Sequence, residues 1–172
     1  MTSAPAPSQS GGSYVANRGP SVEGFLLPAS DPEAAPFFEG ARIGELRIQA
    51  CERCGKLRHP PRPMCPSCRS TARTWKTVPG TGTVWSYVIP HPPLLKPYTD
   101  VAPYNVVVVE LDVEASPPVR FVGNLVESAD APLDSIDPHS IRIGEPVEVV
   151  WKRFERQDGS DEVLPFWVRQ GG

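Results

Sequence analysis

The chain has 172 residues, of which 40% are hydrophobic, with 22 prolines, 14 glycines and a net charge of −3. This length suits one medium domain or a small module joined to a domain, and the proline and glycine content favours turns over long helices. No apolar run approaches the length of a membrane span, and the first residues lack the pattern of a secretory signal. We therefore expect a soluble, cytoplasmic protein.

The first residues differ in composition from the rest of the chain. Residues 1–28 are rich in Ser, Ala, Pro and Gly and hold few bulky apolar side chains. Such a segment buries too little surface to offset the entropy of ordering, so we expect a disordered tail or a linker. We predict a short helix and a zinc ribbon over residues 29–79 and a β-barrel over residues 80–170.

A short helix is predicted directly after the tail. Ser30 or Asp31 can accept hydrogen bonds from its first turn, and Gly40 suits its end. Phe37 and Phe38 lie between these points and form an apolar face. Adjacent phenylalanines are typical of a face that docks onto the parent domain, and the alternative is a face for a partner protein.

All four cysteines lie in the segment CERCGKLRHPPRPMCPSC, as two Cys-x-x-Cys pairs separated by ten residues. Two such knuckles place Cys51, Cys54, Cys65 and Cys68 at the corners of a tetrahedron, the arrangement of a closed structural Zn²⁺ site. Gly55 suits the positive φ that a knuckle requires. Fe is the main alternative metal, and two disulfides are disfavoured because they would be strained in so tight a turn. A site closed by four sulfurs leaves no position for a reactive water.

Charge is distributed unevenly along the chain. Between Arg47 and Lys76 there are eight basic residues and one acidic residue, which leaves a net charge of −10 for the remainder. The basic segment would suit the phosphates of a nucleotide or nucleic acid, or an acidic partner, and the simpler interpretation is a solvated face that keeps a small module soluble.

The pattern of apolar residues predicts β-structure from the ribbon onward. Residues 46–51 and 74–78 are predicted as the two strands of the ribbon. Five further strands are predicted at 83–89, 104–113, 119–126, 146–154 and 163–169. Uninterrupted valines in the second of these five indicate burial on both faces or a strongly coiled strand. Five strands fit a small barrel of the OB type better than a β-sandwich, so the predicted fold is mainly β with a short N-terminal helix.

The loop over residues 90–103 reads PHPPLLKPYTDVAP, and its prolines predict an extended course. The apolar and aromatic residues on this loop and its end, together with the helix pair Phe37 and Phe38, predict a partner interface. The loop members of this predicted interface are His91, Leu94, Leu95, Tyr98 and Tyr104. The alternative is that they cover one end of the barrel.

The sequence contains no recognisable catalytic motif. There is no nucleophile elbow, no phosphate loop of the Walker type and no dinucleotide fingerprint. The histidines His59, His91 and His139 lie in loops flanked by proline, where a lone imidazole is usually solvated. We predict no catalytic residues in this chain.

The order of these motifs resembles the acyl-CoA-associated OB-fold family, in which a rubredoxin-like zinc ribbon precedes an OB barrel. The resemblance rests on PFFEG, LRIQ before CERCG, PPRPMCPSC, GTGTVWSY, PYNVVVVELD, IGEPVEVVW and LPFWV, and covers about residues 27–168. It implies that the four cysteines bind zinc. It also implies a hetero-oligomer with a thiolase-fold enzyme or an enoyl-CoA hydratase.

Within that family, the chain is similar to the C-terminal domain of the steroid side-chain enoyl-CoA hydratase subunit. That domain partners a lipid-transfer-protein-like, thiolase-fold retro-aldolase, which cleaves a steroid hydroxyacyl-CoA. The resemblance implies a non-catalytic accessory subunit in steroid or cholesterol catabolism. Residues 1–28 would then be the linker from an upstream hydratase domain.

Two other functions fit parts of the sequence. A single-stranded nucleic-acid-binding protein would use the OB barrel and the basic ribbon, but the barrel is acidic and Trp85, Tyr87, Phe121 and Trp151 suit a core. A direct acyl-CoA-binding module would contact phosphates through basic side chains of the ribbon. The candidates for that contact are Arg53, Lys56, Arg58 and Arg62.

Overall fold

A computed structural model describes residues 21–28 and 31–171. It shows one α-helix of two turns, a three-stranded ribbon sheet and a five-stranded barrel. The mainly β architecture predicted from the sequence is therefore confirmed. No helix within these ranges is long and apolar enough to cross a membrane.

Helix α1 spans Ala35–Arg42 and differs from the predicted helix at both ends. Ser30 lies outside the described residues, and the Asp31 side chain accepts the N–H of Glu33 at 2.9 Å in a turn that precedes the helix. Gly40 lies within the helix rather than at its end. A Cβ at Gly40 would come within 2.8 Å of the Arg47 side chain, so glycine is required here by close packing.

The ribbon is an antiparallel sheet of strands β1 (Leu46–Cys51), β2 (Leu57–Arg58) and β3 (Arg73–Val78), in the order β2-β1-β3. Strand β1 pairs along its whole length with β3, as predicted. The short strand β2 was not predicted, because two residues carry no detectable periodicity.

The barrel consists of five strands that are antiparallel to their hydrogen-bonded neighbours. They are β4 (Thr81–Val88), β5 (Val106–Leu111), β6 (Arg120–Gly123), β7 (Pro146–Glu155) and β8 (Asp161–Arg169). Their order is β6-β5-β4-β7-β8, and a parallel bridge from Leu125 to Trp167 nearly closes the barrel. This topology is that of the predicted OB fold.

The valine-rich strand β5 alternates in burial rather than being buried on both faces. Val107, Val109 and Leu111 lie in the core, whereas Val106 and Val108 are partly exposed. The first alternative in the prediction, burial on both faces, is therefore wrong, and β5 is a barrel strand with one buried face. Every second residue of β5 points into the core, as in any strand with one buried face. The sequence does not reveal this alternation because the outward residues Val106 and Val108 are apolar too.

The loop over residues 90–103 is not extended throughout. Helix α2 (Lys96–Thr99) forms a single turn within it, and the hydroxyl of Thr99 donates to the carbonyl of Leu94 at 3.1 Å. Pro97 falls in the first turn of this helix, where a missing N–H has no cost. Proline therefore begins a helical turn here, whereas the prediction assigned it to extended backbone.

Residues 21–28 lie against the barrel and do not form an unpacked tail. Val22 donates its N–H to the Glu155 carbonyl at 2.8 Å, and Leu26 donates to the Tyr98 hydroxyl at 3.3 Å. Leu27 is buried among residues of the barrel. The apolar side chains near the end of this segment account for its packing against the barrel. The first 20 residues of the predicted tail lie outside the described part of the chain.

Ribbon and barrel share one hydrophobic core. Phe37 of α1 and the ribbon residues Leu46 and Ile48 belong to the same buried cluster as Val84 and Trp167 of the barrel. A second cluster lies at the other side of β8, around Leu27, Tyr104, Val126, Leu133, Phe154 and Phe166. The segment that carries the four cysteines is therefore held against the barrel through strand β1.

Candidate metal centre

The four cysteines meet at the end of the ribbon that is formed by the last residue of β1 and two turns. The sulfurs of Cys51 and Cys68 lie 3.5 Å apart and those of Cys54 and Cys65 lie 3.7 Å apart. All four sulfurs lie within 4.8 Å of one another, and none forms a disulfide. A Zn–S bond of about 2.3 Å places tetrahedral sulfurs about 3.8 Å apart, so the donor set fits a Zn²⁺ ion.

The two knuckles are closed by equivalent backbone hydrogen bonds. Gly55 donates its N–H to the Cys51 carbonyl at 2.8 Å, and Arg69 donates to the Cys65 carbonyl at 2.9 Å. Both of these donors have positive φ, 71° for Gly55 and 59° for Arg69. The sequence predicts this conformation for Gly55 but not for Arg69, since an arginine gives no signal for the left-handed region.

Backbone N–H groups around the sulfurs favour thiolates. The N–H of Cys54 lowers the pKa of the Cys51 thiol to about 6, and the N–H of Cys68 lowers the pKa of Cys65. The N–H of Ser70 acts in the same direction on Cys68, but burial and the Cys51 sulfur oppose it and raise the pKa of Cys68 to about 11. The backbone of both knuckles thus favours negative charge on Cys51 and Cys65, and a bound cation would be attracted by it.

A polar network supports the ribbon beside the cysteines. Arg58 is 9% exposed, and its Nε donates to the Oε1 of Gln49 at 2.5 Å. The N–H of Arg62 donates to the same oxygen at 2.9 Å. Arg58 therefore joins β1 and β2 to the proline-rich loop of the ribbon (residues 59–63), which makes it a poor candidate for binding phosphates in solution. The other predicted phosphate contacts, Arg53, Lys56 and Arg62, are exposed.

His59 is not the solvated loop residue that the sequence predicts. Its ring stacks on Phe121 of the barrel with 3.8 Å between centroids, and burial lowers its pKa to about 4. The proline-rich loop carries His59 onto the barrel, a contact that no local pattern indicates. His91 and His139 are exposed, as predicted.

The predicted interface residues divide into buried and accessible groups. Phe37 and Tyr104 are 6% and 7% exposed and belong to the core. Leu95 is 59% exposed. Phe38, Leu94 and Tyr98 are half-buried, and His91 is exposed. The accessible part of the predicted interface is therefore centred on α2 and on the second phenylalanine of α1.

Trp85 was expected in the core but lies on the barrel surface. It is 49% exposed, and the guanidinium of Arg120 lies over its ring at 3.8 Å from the centroid. A bulge in β4 between Val84 and Ser86 turns this side chain outward. Phe121 is buried, and Tyr87 and Trp151 are partly buried against the core.

Comparison with known families agrees with this architecture. The model for the rubredoxin-like zinc ribbon of ChsH2 matches residues 38–72, and the model for the C-terminal OB-fold domain of ChsH2 matches residues 75–152. The chain is also 35% identical to one chain of the solved Ltp2-ChsH2(DUF35) aldolase, with a TM-score of 0.61, over 83% of this chain and 98% of that chain. The chain belongs to the ChsH2 (DUF35) family.

Curated relatives in the ChsH2 family include both enzyme subunits and scaffold proteins. The chain is 40% identical over 126 residues to a probable enoyl-CoA hydratase alpha subunit of Thermomonospora curvata, covering 72% of this chain and 34% of that protein. It is 32% identical over 132 residues to the 3-oxo-4,17-pregnadiene-20-carboxyl-CoA hydratase alpha subunit of Mycobacterium tuberculosis, covering 77% and 38%. It therefore spans about a third of these two relatives.

A shorter relative in the ChsH2 family matches over most of its length. The chain is 32% identical over 117 residues to a DUF35 domain-containing scaffold protein of Methanothermobacter thermautotrophicus, covering 67% of this chain and 77% of that protein. Relatives are thus named either as scaffolds or as subunits of a complex.

Proposed function

We propose that this chain is a non-catalytic, zinc-binding scaffold subunit that binds and supports a thiolase-fold aldolase acting on steroid side-chain acyl-CoA thioesters. The observation that carries the proposal is the similarity to a chain of the Ltp2-ChsH2(DUF35) aldolase along 98% of that chain. The relative named for a pregnadiene carboxyl-CoA supports a steroid substrate. In this proposal the catalytic residues lie on the partner.

The metal in this proposal is a structural Zn²⁺ held by Cys51, Cys54, Cys65 and Cys68. Their spacing fits a tetrahedron of sulfurs, and thiolates are favoured by the backbone N–H groups of both knuckles. With four protein ligands, the ion would have no open position for substrate or water. Its contribution is to fold the ribbon.

The relatives of greater length suggest a second association. The chain matches about a third of each hydratase alpha subunit. We propose that it works beside an enoyl-CoA hydratase domain as well as the aldolase, so that the product of hydration is formed near the enzyme that cleaves it. Proximity raises the effective concentration of an intermediate that passes between two sites.

Reconstitution tests the main proposal. The thiolase-fold aldolase of the same organism is expressed alone and with this chain, and cleavage of a steroid hydroxyacyl-CoA is measured for both preparations. We expect the chain to copurify with the aldolase and to raise the yield of active enzyme. Full activity and stability of the aldolase alone would contradict the proposal.

A matched pair of variants tests the interface. Leu95, the N-cap residue of α2, and Ile143 in the turn before β7 are 59% and 70% exposed, so an aspartate at either position should leave the fold intact. We expect Leu95→Asp to weaken association with the aldolase at least tenfold and Ile143→Asp to leave it unchanged, measured by biolayer interferometry. Equal effects of the two variants would remove α2 from the proposed interface.

A further inference from the structure

A cavity of about 500 Å³ lies where the N-terminal segment, α1, the ribbon and the barrel meet. One wall contains Phe37 and Phe121, whose rings stack at 5.5 Å. The lining also includes Leu133, Phe154 and Phe166 of the second hydrophobic cluster. The cavity is thus lined by members of both clusters, and its volume lies within the roughly 300–1,000 Å³ of small-molecule sites.

The walls of this cavity carry no charge. None of the described residues that line it is Asp, Glu, Lys or Arg, and most are aromatic or aliphatic. A carboxylate, phosphate or ammonium group placed inside would lose its hydration without gaining an opposite charge, which is costly. The cavity therefore selects against charged groups.

His59 provides a polar group at this apolar site. Its ring lines the cavity, and no hydrogen bond joins either ring nitrogen to the described residues. Because burial lowers its pKa to about 4, the imidazole is neutral at physiological pH. A neutral imidazole offers one hydrogen-bond donor and one acceptor.

We propose that this cavity binds the uncharged, apolar group of a small-molecule ligand, with His59 as the polar contact. This site is separate from the cysteine centre, and the described residues that line it all belong to this chain, so it can be tested on the 172-residue chain alone. The described walls hold no basic residue that could bind a carboxylate, so we expect the part of the ligand inside the cavity to be uncharged rather than a free acid.

Two fluorescent probes test the selection against charge. N-phenyl-1-naphthylamine is neutral, whereas 1-anilinonaphthalene-8-sulfonate carries a sulfonate on the same framework. We expect saturable binding of the neutral probe and at least tenfold weaker binding of the sulfonate, measured by fluorescence titration at pH 7.5. Equal affinities, or a lack of saturable binding of the neutral probe, would overturn the proposal.

Matched variants locate the binding site. Val122 lines the cavity and Val88 does not, and both are 60% exposed, so tryptophan is sterically tolerated at either position. We expect Val122→Trp to weaken binding of the neutral probe at least fivefold and Val88→Trp to leave it unchanged. Leu26→Trp, also at a lining residue that is 60% exposed, should repeat the effect of Val122→Trp. Unchanged binding in both lining variants would overturn the location.

The contact with His59 has its own test. 1-Benzylnaphthalene lacks the N–H of the neutral probe but has nearly the same shape. The wild-type chain should prefer the amine about threefold in competition titrations, and His59→Phe should remove that preference. The same preference in both proteins would remove His59 from the site.

Deletion of residues 1–20 separates a ligand site from a site for the chain's own N-terminus. We expect the shortened chain to bind the neutral probe as the 172-residue chain does. Binding that appears only after the deletion would assign the cavity to that segment and overturn the proposal.

Discussion

Each knuckle supplies two sulfur atoms to the proposed zinc site. In the second knuckle the sulfur of Cys65 is the better one to test, because Cys65 is buried. Cys65→Ser replaces a soft thiolate with a hydroxyl that binds Zn²⁺ poorly. We expect zinc affinity to fall by more than the roughly 100-fold that loss of an outer-shell partner costs. Competition with a chromogenic chelator measures it, and Ser67→Ala in the same knuckle is the control. Unchanged zinc affinity in Cys65→Ser would contradict the proposed ligand set.

His59 makes stability depend on pH. Its pKa is about 4 in the folded chain against about 6.5 for an unperturbed imidazole, so below pH 6.5 the unfolded state binds a proton that the folded state excludes. Neutral His59 therefore contributes fully to the free energy of unfolding above pH 6.5. As the pH falls towards 4 this contribution is lost, which lowers the free energy of unfolding by up to about 3 kcal/mol.

Urea unfolding at pH 7.5 and pH 5.0 measures this dependence. His59→Phe keeps a stacked ring but cannot be protonated, so we expect its free energy of unfolding to fall less between the two pH values than that of the wild-type chain. Protonation of the cysteines affects both proteins and cancels in the comparison. Equal losses in both would contradict a buried, neutral His59.

Single residues were predictable where a spacing or a backbone requirement identifies them. The four cysteines and Gly55 are of this kind, because a knuckle fixes both their separation and the sign of φ. Arg69 was missed since its left-handed conformation is imposed by the knuckle and opposes the preference of arginine. His59 was missed because its environment is created by Phe121, which lies more than sixty residues away in the sequence.

Among the elements, the contact between the N-terminal segment and the β7–β8 hairpin depends on a buried ion pair. Arg156 donates to Glu162 at 3.3 Å and to the Pro28 carbonyl at 2.9 Å, and Arg42 of α1 donates to the other oxygen of Glu162 at 3.4 Å. Glu162 thus joins three parts of the chain at one carboxylate.

Glu162→Gln should destabilise the chain, because it removes the buried negative charge that both Arg156 and Arg42 contact. We expect a loss of about 3 kcal/mol in the free energy of unfolding, measured with urea. The neighbouring pair of Arg153 and Asp161 is exposed, so Asp161→Asn is the control and should cost less than about 1 kcal/mol. Similar losses in the two variants would show that burial does not determine the effect.

Elements were predicted well where the apolar period is regular. The strands of the ribbon and barrel lie close to their predicted positions, since alternation identifies a strand with one buried face. The helix was placed too early, because Asp31 caps a turn rather than a helix. Helix α2 was missed, as its single turn depends on the proline in its first turn and not on an apolar repeat.

The ribbon, with its proposed metal centre, and the barrel should unfold as one unit. Leu46 and Ile48 of the ribbon lie in the same core as Val84 and Trp167 of the barrel, so loss of the ribbon exposes barrel surface. We expect removal of zinc by a strong chelator to lower one common melting transition in differential scanning calorimetry. Two separate transitions, with that of the barrel unchanged, would contradict a shared core.

The sequence predicts that the phenylalanines of α1 dock onto the parent domain, and the burial of Phe37 in the shared core confirms it, but the barrel residues that they meet could not be predicted. Apolar residues in β1 and in the barrel strands indicate that each of these strands buries one face. They do not indicate that the buried face of β1 packs against the barrel. The contact is made through Phe37 and Phe121, and the proline-rich loop closes over it with His59. Such pairings follow from three-dimensional closure of the chain rather than from any local period.

Helix α1 contacts both β1 of the ribbon and β8 of the barrel. This double contact removes the rotational freedom that two modules joined by a plain linker would retain. A protein that touches the ribbon and the barrel together therefore meets a surface already fixed in shape, and association loses less conformational entropy than it would with independent modules. A complex of the kind proposed here would therefore form with a smaller entropic cost than one between the partner and two independent modules.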